Sequence, residues 1–298
     1  MEHFNSSNST HTVSAEKAIA SGVLGLCFLL GVPGNIAVMI RLVGWLRGDS
    51  FTPRLMMSLA VSDLLTLLLL PVWIWSFLQG WSFGLLLCKI SSYMIYLGLY
   101  CSLLCVILLS LQRYLQVLYP QKWAKVGVRG QKILLGGMWM LGGVLGSYAP
   151  VERSVYMKNE QLECRLHYQN DTERVATLFL ETLMFVLTFL LLTYFYFHLY
   201  RGVNRSAFFN SHKMTKLVTR IVMAFFVFSL PFTINNILFI AAILLKNDKL
   251  LRIAVDVEHI TKSLIFVNSC VNPLLYAFSA RTLQPPNQHT TGTENAYP

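Results

Sequence analysis

Residues 85–120 read LLLCKISSYMIYLGLYCSLLCVILLSLQRYLQVLYP. From Leu85 to Leu109 the only charged residue is Lys89. A bilayer crossing needs about 20 predominantly apolar residues as a helix, and this run exceeds that. At 1.5 Å rise per residue, Arg113 lies roughly 37 Å along the helix axis from Cys88. The stretch therefore reads as a membrane-spanning helix with a cysteine near one interface and an arginine near the other.

Six further windows of the same kind surround it: Ala18–Val43, Leu55–Phe77, Ile133–Tyr148, Val175–Tyr200, Leu217–Leu245 and Ile253–Phe278. The window at Ile133–Tyr148 is the shortest and is rich in glycine, which lets helices approach closely in lipid. Charged residues make up 13% of the chain, about half the share of a soluble domain, and the mean hydropathy is +0.54. The expected fold is an all-α membrane protein, a seven-transmembrane helix bundle. Its expected parts are a glycosylated N-terminus over 1–17, the bundle over 18–280 and a short tail over 281–298.

Charge sets the expected orientation. Segments 41–54, 113–132, 201–220 and the C-terminal tail hold most of the Lys and Arg, against only Asp49 and Glu294. A Lys/Arg excess marks cytoplasmic loops, so the N-terminus is expected outside. The net charge of +10 thus belongs to membrane topology, not to nucleic-acid binding. The sequons at Asn5, Asn8 and Asn170 fall on the expected outer side, and that at Asn204 on the inner side. No basic stretch followed by a cleavage site opens the chain, so the first span is expected to act as its own insertion signal.

Polar residues inside such spans must face a bundle interior or a wet cavity, which makes them functional candidates. Asn35, Asp63, Arg113, Asn268 and Asn272 are of this kind. A lone buried carboxylate such as Asp63 either protonates or finds a cation. Asp63, Ser102, Asn268 and Asn272 could converge as oxygen ligands. Pro231 and Pro273 break the helical hydrogen-bond ladder and create kinks. Of the six cysteines, Cys27, Cys101, Cys105 and Cys270 lie within spans and read as packing residues. Cys88 and Cys164 lie toward the oxidising exterior, which permits a disulfide.

The motifs run in a set order. They are Gly34-Asn35, Leu59-Ala60-Val61-Ser62-Asp63, Trp81-Ser82-Phe83-Gly84 before Cys88, Gln112-Arg113-Tyr114, Trp139, Pro231 and Asn272-Pro273-Leu274-Leu275-Tyr276. From about residue 18 to 280 the chain resembles the rhodopsin-like G-protein-coupled receptors. That resemblance implies a Cys88–Cys164 disulfide, a sodium ion at Asp63, Ser102, Asn268 and Asn272 as allosteric modulator, and no other cofactor. It implies that Arg113 and Tyr114 serve coupling to a heterotrimeric G protein, with Pro231, Asn272, Pro273 and Tyr276 as switch positions. Departures are plain. Gln112 replaces the usual acidic residue, so one ion-pair restraint on Arg113 is missing. Ser229 stands where a tryptophan is usual and Phe189 where span five has a proline. After Tyr276 the chain soon reaches Pro285-Pro286, which cuts short the usual eighth helix.

Within the family, Leu30–Asn35, Gln79–Gly84 and Leu178–Glu181 look most like the chemoattractant branch, in particular leukotriene B4 receptors. The resemblance places pocket residues at Tyr100, at Arg153 on the outer end of span four, at Arg174 and Glu181 in span five, and at Asn236. Ser92 replaces an expected histidine. Glu258 replaces an expected arginine, with Lys262 one turn below. The residues themselves point the same way: Arg153, Arg174 and Lys262 are cations at a mouth expected to be lined by Tyr93, Tyr96, Tyr100 and Phe179. A small lipid carboxylate suits that mouth, and an inhibitory-class G protein at the plasma membrane is implied. The alternatives are that the two arginines only balance loop acids, or that the ligand is a chemoattractant peptide. No internal repeat supports a transporter, and no metal-hydrolase or nucleophile-elbow motif supports an enzyme.

Overall fold

The computed structural model describes residues 15–46, 50–158, 161–203 and 212–280. Helices and strands follow in the order α1 (Ala15–Val43), α2 (Phe51–Leu67), α3 (Leu70–Gln79), α4 (Gly84–Leu118), α5 (Pro120–Gly146), α6 (Tyr148–Glu152), β1 (Arg153–Lys158), β2 (Gln161–Leu166), α7 (Asp171–Val203), α8 (His212–Leu244), α9 (Asp248–Asp256) and α10 (Glu258–Ala280). The crossings are α1, α2 with α3, α4, α5, α7, α8 and α10. Among the described residues the first six are long and apolar enough to cross a bilayer. α10 packs against α1, α2 and α8 and closes the bundle.

α4 is the central post, touching α2, α5, α7 and α8. It packs tightly on α2 at Gly98, where a Cβ would sit 2.6 Å from Thr66 Cγ2 and 2.7 Å from the Ser62 carbonyl. Leu55, Leu59, Leu109, Leu192 and Ile221 form a buried cluster toward the Arg113 end. Large apolar side chains such as Leu29, Ile40, Met140, Val144 and Leu190 face outward, as lipid solvation allows. The second crossing breaks at Leu68-Leu69 because Pro71 has no N–H to return to the preceding turn. α5 kinks at Gly127, whose φ of 55° suits glycine.

The bundle is the expected one, and two local features add to the sequence reading. The expected all-α bundle also carries a two-stranded antiparallel hairpin, with Arg153 opposite Leu166 and Val155 opposite Cys164. Arg153 caps the end of the fourth crossing directly after Glu152 and is at the same time the first residue of β1. The window beginning at Ile253 is divided: Ile253 belongs to α9, which Asn247 caps through Oδ1 and Val257 ends. The seventh crossing therefore starts at Glu258.

Candidate functional site

The hairpin is held over one end of the bundle. Cys88 at the start of α4 is bonded to Cys164 in β2, with Cα atoms 5.8 Å apart. The Trp81 N–H donates to the Leu162 carbonyl at 2.7 Å. Lys17 of α1 pairs with Glu163 at 2.9 Å, and Arg165 pairs with the same carboxylate at 2.8 Å. Beneath this roof a cavity of about 640 Å³ opens between α4, α7, α8 and α10.

Its charged groups are arranged in distinct ways. Arg153 donates from Nη1 to the Cys164 carbonyl at 3.0 Å, and its guanidinium lies 5.0 Å from the Trp73 ring centre. Its Nε is buried with no hydrogen-bond partner among the described residues. Arg174 lies 4.5 Å from the Phe239 ring centre and 6.0 Å from that of Tyr168. Burial pushes the Tyr168 phenol up, so it stays a neutral hydroxyl at physiological pH. Lys262 is spent locally, pairing with Glu258 at 2.6 Å. Glu181 accepts from the Tyr148 hydroxyl at 2.8 Å and from Asn236 Nδ2 at 3.0 Å. Tyr96 sits edge-on to Tyr148 at 5.2 Å, with Tyr100 beyond it.

Tyr100, Arg153, Arg174, Glu181 and Lys262 all line the cavity, and Asn236 reaches it through Glu181 and an adjoining small chamber. Two expected residues do not line it. Tyr93 points its hydroxyl toward Gly143 of α5, and Phe179 is 55% exposed on the outer face of α7. In both cases the 3.6-residue period turns the side chain away from the mouth. Ser92 lines the cavity but spends its hydroxyl on the Cys88 carbonyl at 2.7 Å. The sequence reading missed Trp73, Tyr148, Tyr168 and His259, which all contribute. A tryptophan near a helix end was the available signal for Trp73.

Deeper in the same cavity, Ser102, Asn268 and Ser269 form part of the floor. Asp63 is fully buried and accepts from Ser102 Oγ at 3.1 Å and Asn272 Nδ2 at 2.8 Å. Asn268 Oδ1 and Asn272 Oδ1 are buried with no partner among the described residues. One carboxylate, one hydroxyl and two unpaired amide oxygens are an all-oxygen donor set, as a small hard cation requires. A single carboxylate matches a single positive charge, and no group of three or more His, Cys, Asp or Glu is placed to hold a metal ion among the described residues. Asn35 ties this region together, donating from Nδ2 to the Gly31 carbonyl at 2.9 Å and the Ser269 carbonyl at 3.0 Å.

At the opposite end, Arg113 donates from Nη2 to Thr52 Oγ1 at 2.7 Å. Gln112 Nε2 donates to the same oxygen at 2.8 Å. Tyr114 stacks on Phe195 of α7 at 5.2 Å and Tyr119 at 5.7 Å. Pro231 lies within α8 and Pro273 within α10. Tyr276 is on α10, but its side chain is outside the described residues, as are Asn5, Asn8, Asn204 and the tail over 281–298. Asn170 is exposed beside the hairpin and caps α7, accepting from the Glu173 N–H at 2.8 Å.

Comparison with known proteins agrees with this geometry. Residues 34–276 match the 7 transmembrane receptor (rhodopsin family) model. The chain is 33% identical to leukotriene B4 receptor 1 of Bos taurus over 86% of its own length and 76% of that receptor's. It is 31% identical to G-protein coupled receptor E1 of equine herpesvirus 2 (strain 86/87), over 85% of this chain and 68% of that protein. It is 30% identical to the human C-C chemokine receptor type 1, over 85% and 74% respectively.

Proposed function

The chain belongs to the rhodopsin family of seven-transmembrane receptors, in its chemoattractant branch, and on that premise we propose that it is a plasma-membrane receptor for a lipid carboxylate of the leukotriene B4 type. Members of this family are receptors, not enzymes. Arg153 carries the reading. It is a cation held against an aromatic face, with a spare buried donor and no carboxylate within ion-pairing distance among the described residues. Charged and apolar side chains both line the cavity, but most of its exposed lining surface is apolar, which suits a long apolar tail. The hairpin end faces outward, and the Arg113 end engages a heterotrimeric G protein of the inhibitory class. Sodium at Asp63, Ser102, Asn268 and Asn272 supplies a positive charge that holds the bundle centre together in the resting state.

The test is binding of leukotriene B4 and of its methyl ester. Arg153→Ala should weaken the acid by ~1.5–3 kcal/mol, the range for hydrogen bonds to charged groups, and the ester much less. Equal losses would show that Arg153 does not read a carboxylate. A peptide chemoattractant remains the second reading, because a peptide's terminal carboxylate would meet the same cavity cations, Arg153 and Arg174. Competition by terminal-carboxylate peptides, with none by the lipid, would favour it.

A further inference from the structure

Family-type receptors restrain the arginine at the inner end of the third span with a neighbouring acid, and this chain has Gln112 there. Gln112 does not replace that acid by bonding to Arg113. The two residues instead point to a common third group: Gln112 Nε2 lies 2.8 Å and Arg113 Nη2 lies 2.7 Å from Thr52 Oγ1. Thr52 is 5% exposed and Gln112 1% exposed, so water competes poorly for these bonds. A hydroxyl oxygen has two lone pairs, and these two donors use both. Thr52 lies in the first turn of α2, whereas Arg113 lies near the end of α4.

We propose that the Thr52 hydroxyl is the positioning group that holds Arg113 against α2, in place of the missing acid. This rests on the reading of Arg113 as the residue that engages the G protein. Arg113 Nε and Gln112 Oε1 are buried with no partner among the described residues, so the side-chain hydrogen bonds of both residues converge on Thr52. Release of Arg113 therefore requires breaking one charge-assisted bond to a neutral acceptor. Gln112 holds Thr52 in the rotamer that accepts. Without the hydroxyl, Arg113 would leave a buried donor unpaired and favour the swung-out position.

Reconstitute the receptor in lipid nanodiscs with an inhibitory heterotrimer and measure GTPγS uptake without ligand, at matched receptor amounts. Thr52→Val keeps volume but removes the acceptor, and should raise basal exchange about tenfold, the scale of one such hydrogen bond. Thr52→Ser should stay within about twofold of wild type by the same reasoning, and Arg113→Ala should give no exchange. Thr52→Val equal to wild type, or Thr52→Ser matching Thr52→Val, would overturn the proposal. If Arg113→Ala still couples, or no variant couples, the reading of Arg113 fails instead. A thermal-stability cycle of Thr52→Val and Arg113→Ala then decides the contact: non-additive losses sustain it, and additive ones sink it.

Discussion

Arg153 lies 5.0 Å from the Trp73 ring centre and makes no ion pair among the described residues. A cation over an aromatic face gains roughly 0.5–2 kcal/mol, more when desolvated, yet keeps its other face for a ligand anion. Trp73→Leu should therefore lower affinity for a carboxylate lipid by about that amount while leaving the ester nearly unaffected, read by radioligand competition. Asp63 gives a second residue-scale prediction. If sodium sits among Asp63, Ser102, Asn268 and Asn272, agonist affinity should fall as sodium replaces potassium or choline at constant ionic strength. Asp63→Asn removes the charge, so the cation preference should vanish. Persistence of the preference in Asp63→Asn would place sodium elsewhere. Asp63, Asn268 and Asn272 were legible in the sequence because a polar group in an apolar span has few tolerable places to go. Thr52 was not, because its role comes from α4 folding back beside it, and Trp73 looked like any interfacial tryptophan.

At the scale of elements, the spanning helices were legible because length and apolarity are local properties. The hairpin was not. Its strands are six residues each, and they are specified by Cys164 bonding to Cys88 and by Trp81 reaching Leu162. Those partners are distant in sequence. Only the last residues of α9 fall in the seventh window, because Ile253, Ala254 and Val255 run on into its apolar stretch, while the Asn247 cap lies outside it. Two predictions belong here. The Cys88–Cys164 bond closes a sequence separation of 76 residues, worth about 4.5 kcal/mol at most in a chain-entropy account. Cys164→Ser should free the roof and reduce both thermal stability and ligand binding, whereas Cys27→Ser should change neither by as much. Gly98 is where α2 and α4 touch. Gly98→Val should destabilise by ~1–3 kcal/mol, the range for overpacking, seen as a lower melting temperature of the solubilised receptor. A melting temperature equal to wild type would mean that the helices separate freely at that point.

Across the whole molecule, the two ends treat charge differently. At the hairpin end several bases are paired with acids: Lys17 and Arg165 meet Glu163, and Lys262 meets Glu258, while Arg153 stays free of an ion pair among the described residues. At the other end Lys122, Lys125, Arg129 and Lys132 are exposed and make no ion pair among the described residues. Segment 113–132 contains no acid at all. Free basic groups gain about 1 kcal/mol each beside an anionic cytoplasmic leaflet, and they resist translocation. Both effects favour the proposed orientation, with the Arg113 end in the cytoplasm and the cavity mouth outside. Glycans provide an independent readout, since they are added only on the lumenal and extracellular side. Asn170 is exposed beside the mouth, so N-glycosidase should shift the expressed protein, and Asn170→Gln should remove part of that shift. Asn5→Gln and Asn8→Gln should remove the rest, while Asn204→Gln changes nothing. A glycan on Asn204, with none on Asn5, Asn8 or Asn170, would invert the molecule in the membrane. The cavity would then open to the cytoplasm, and an extracellular chemoattractant could not reach Arg153.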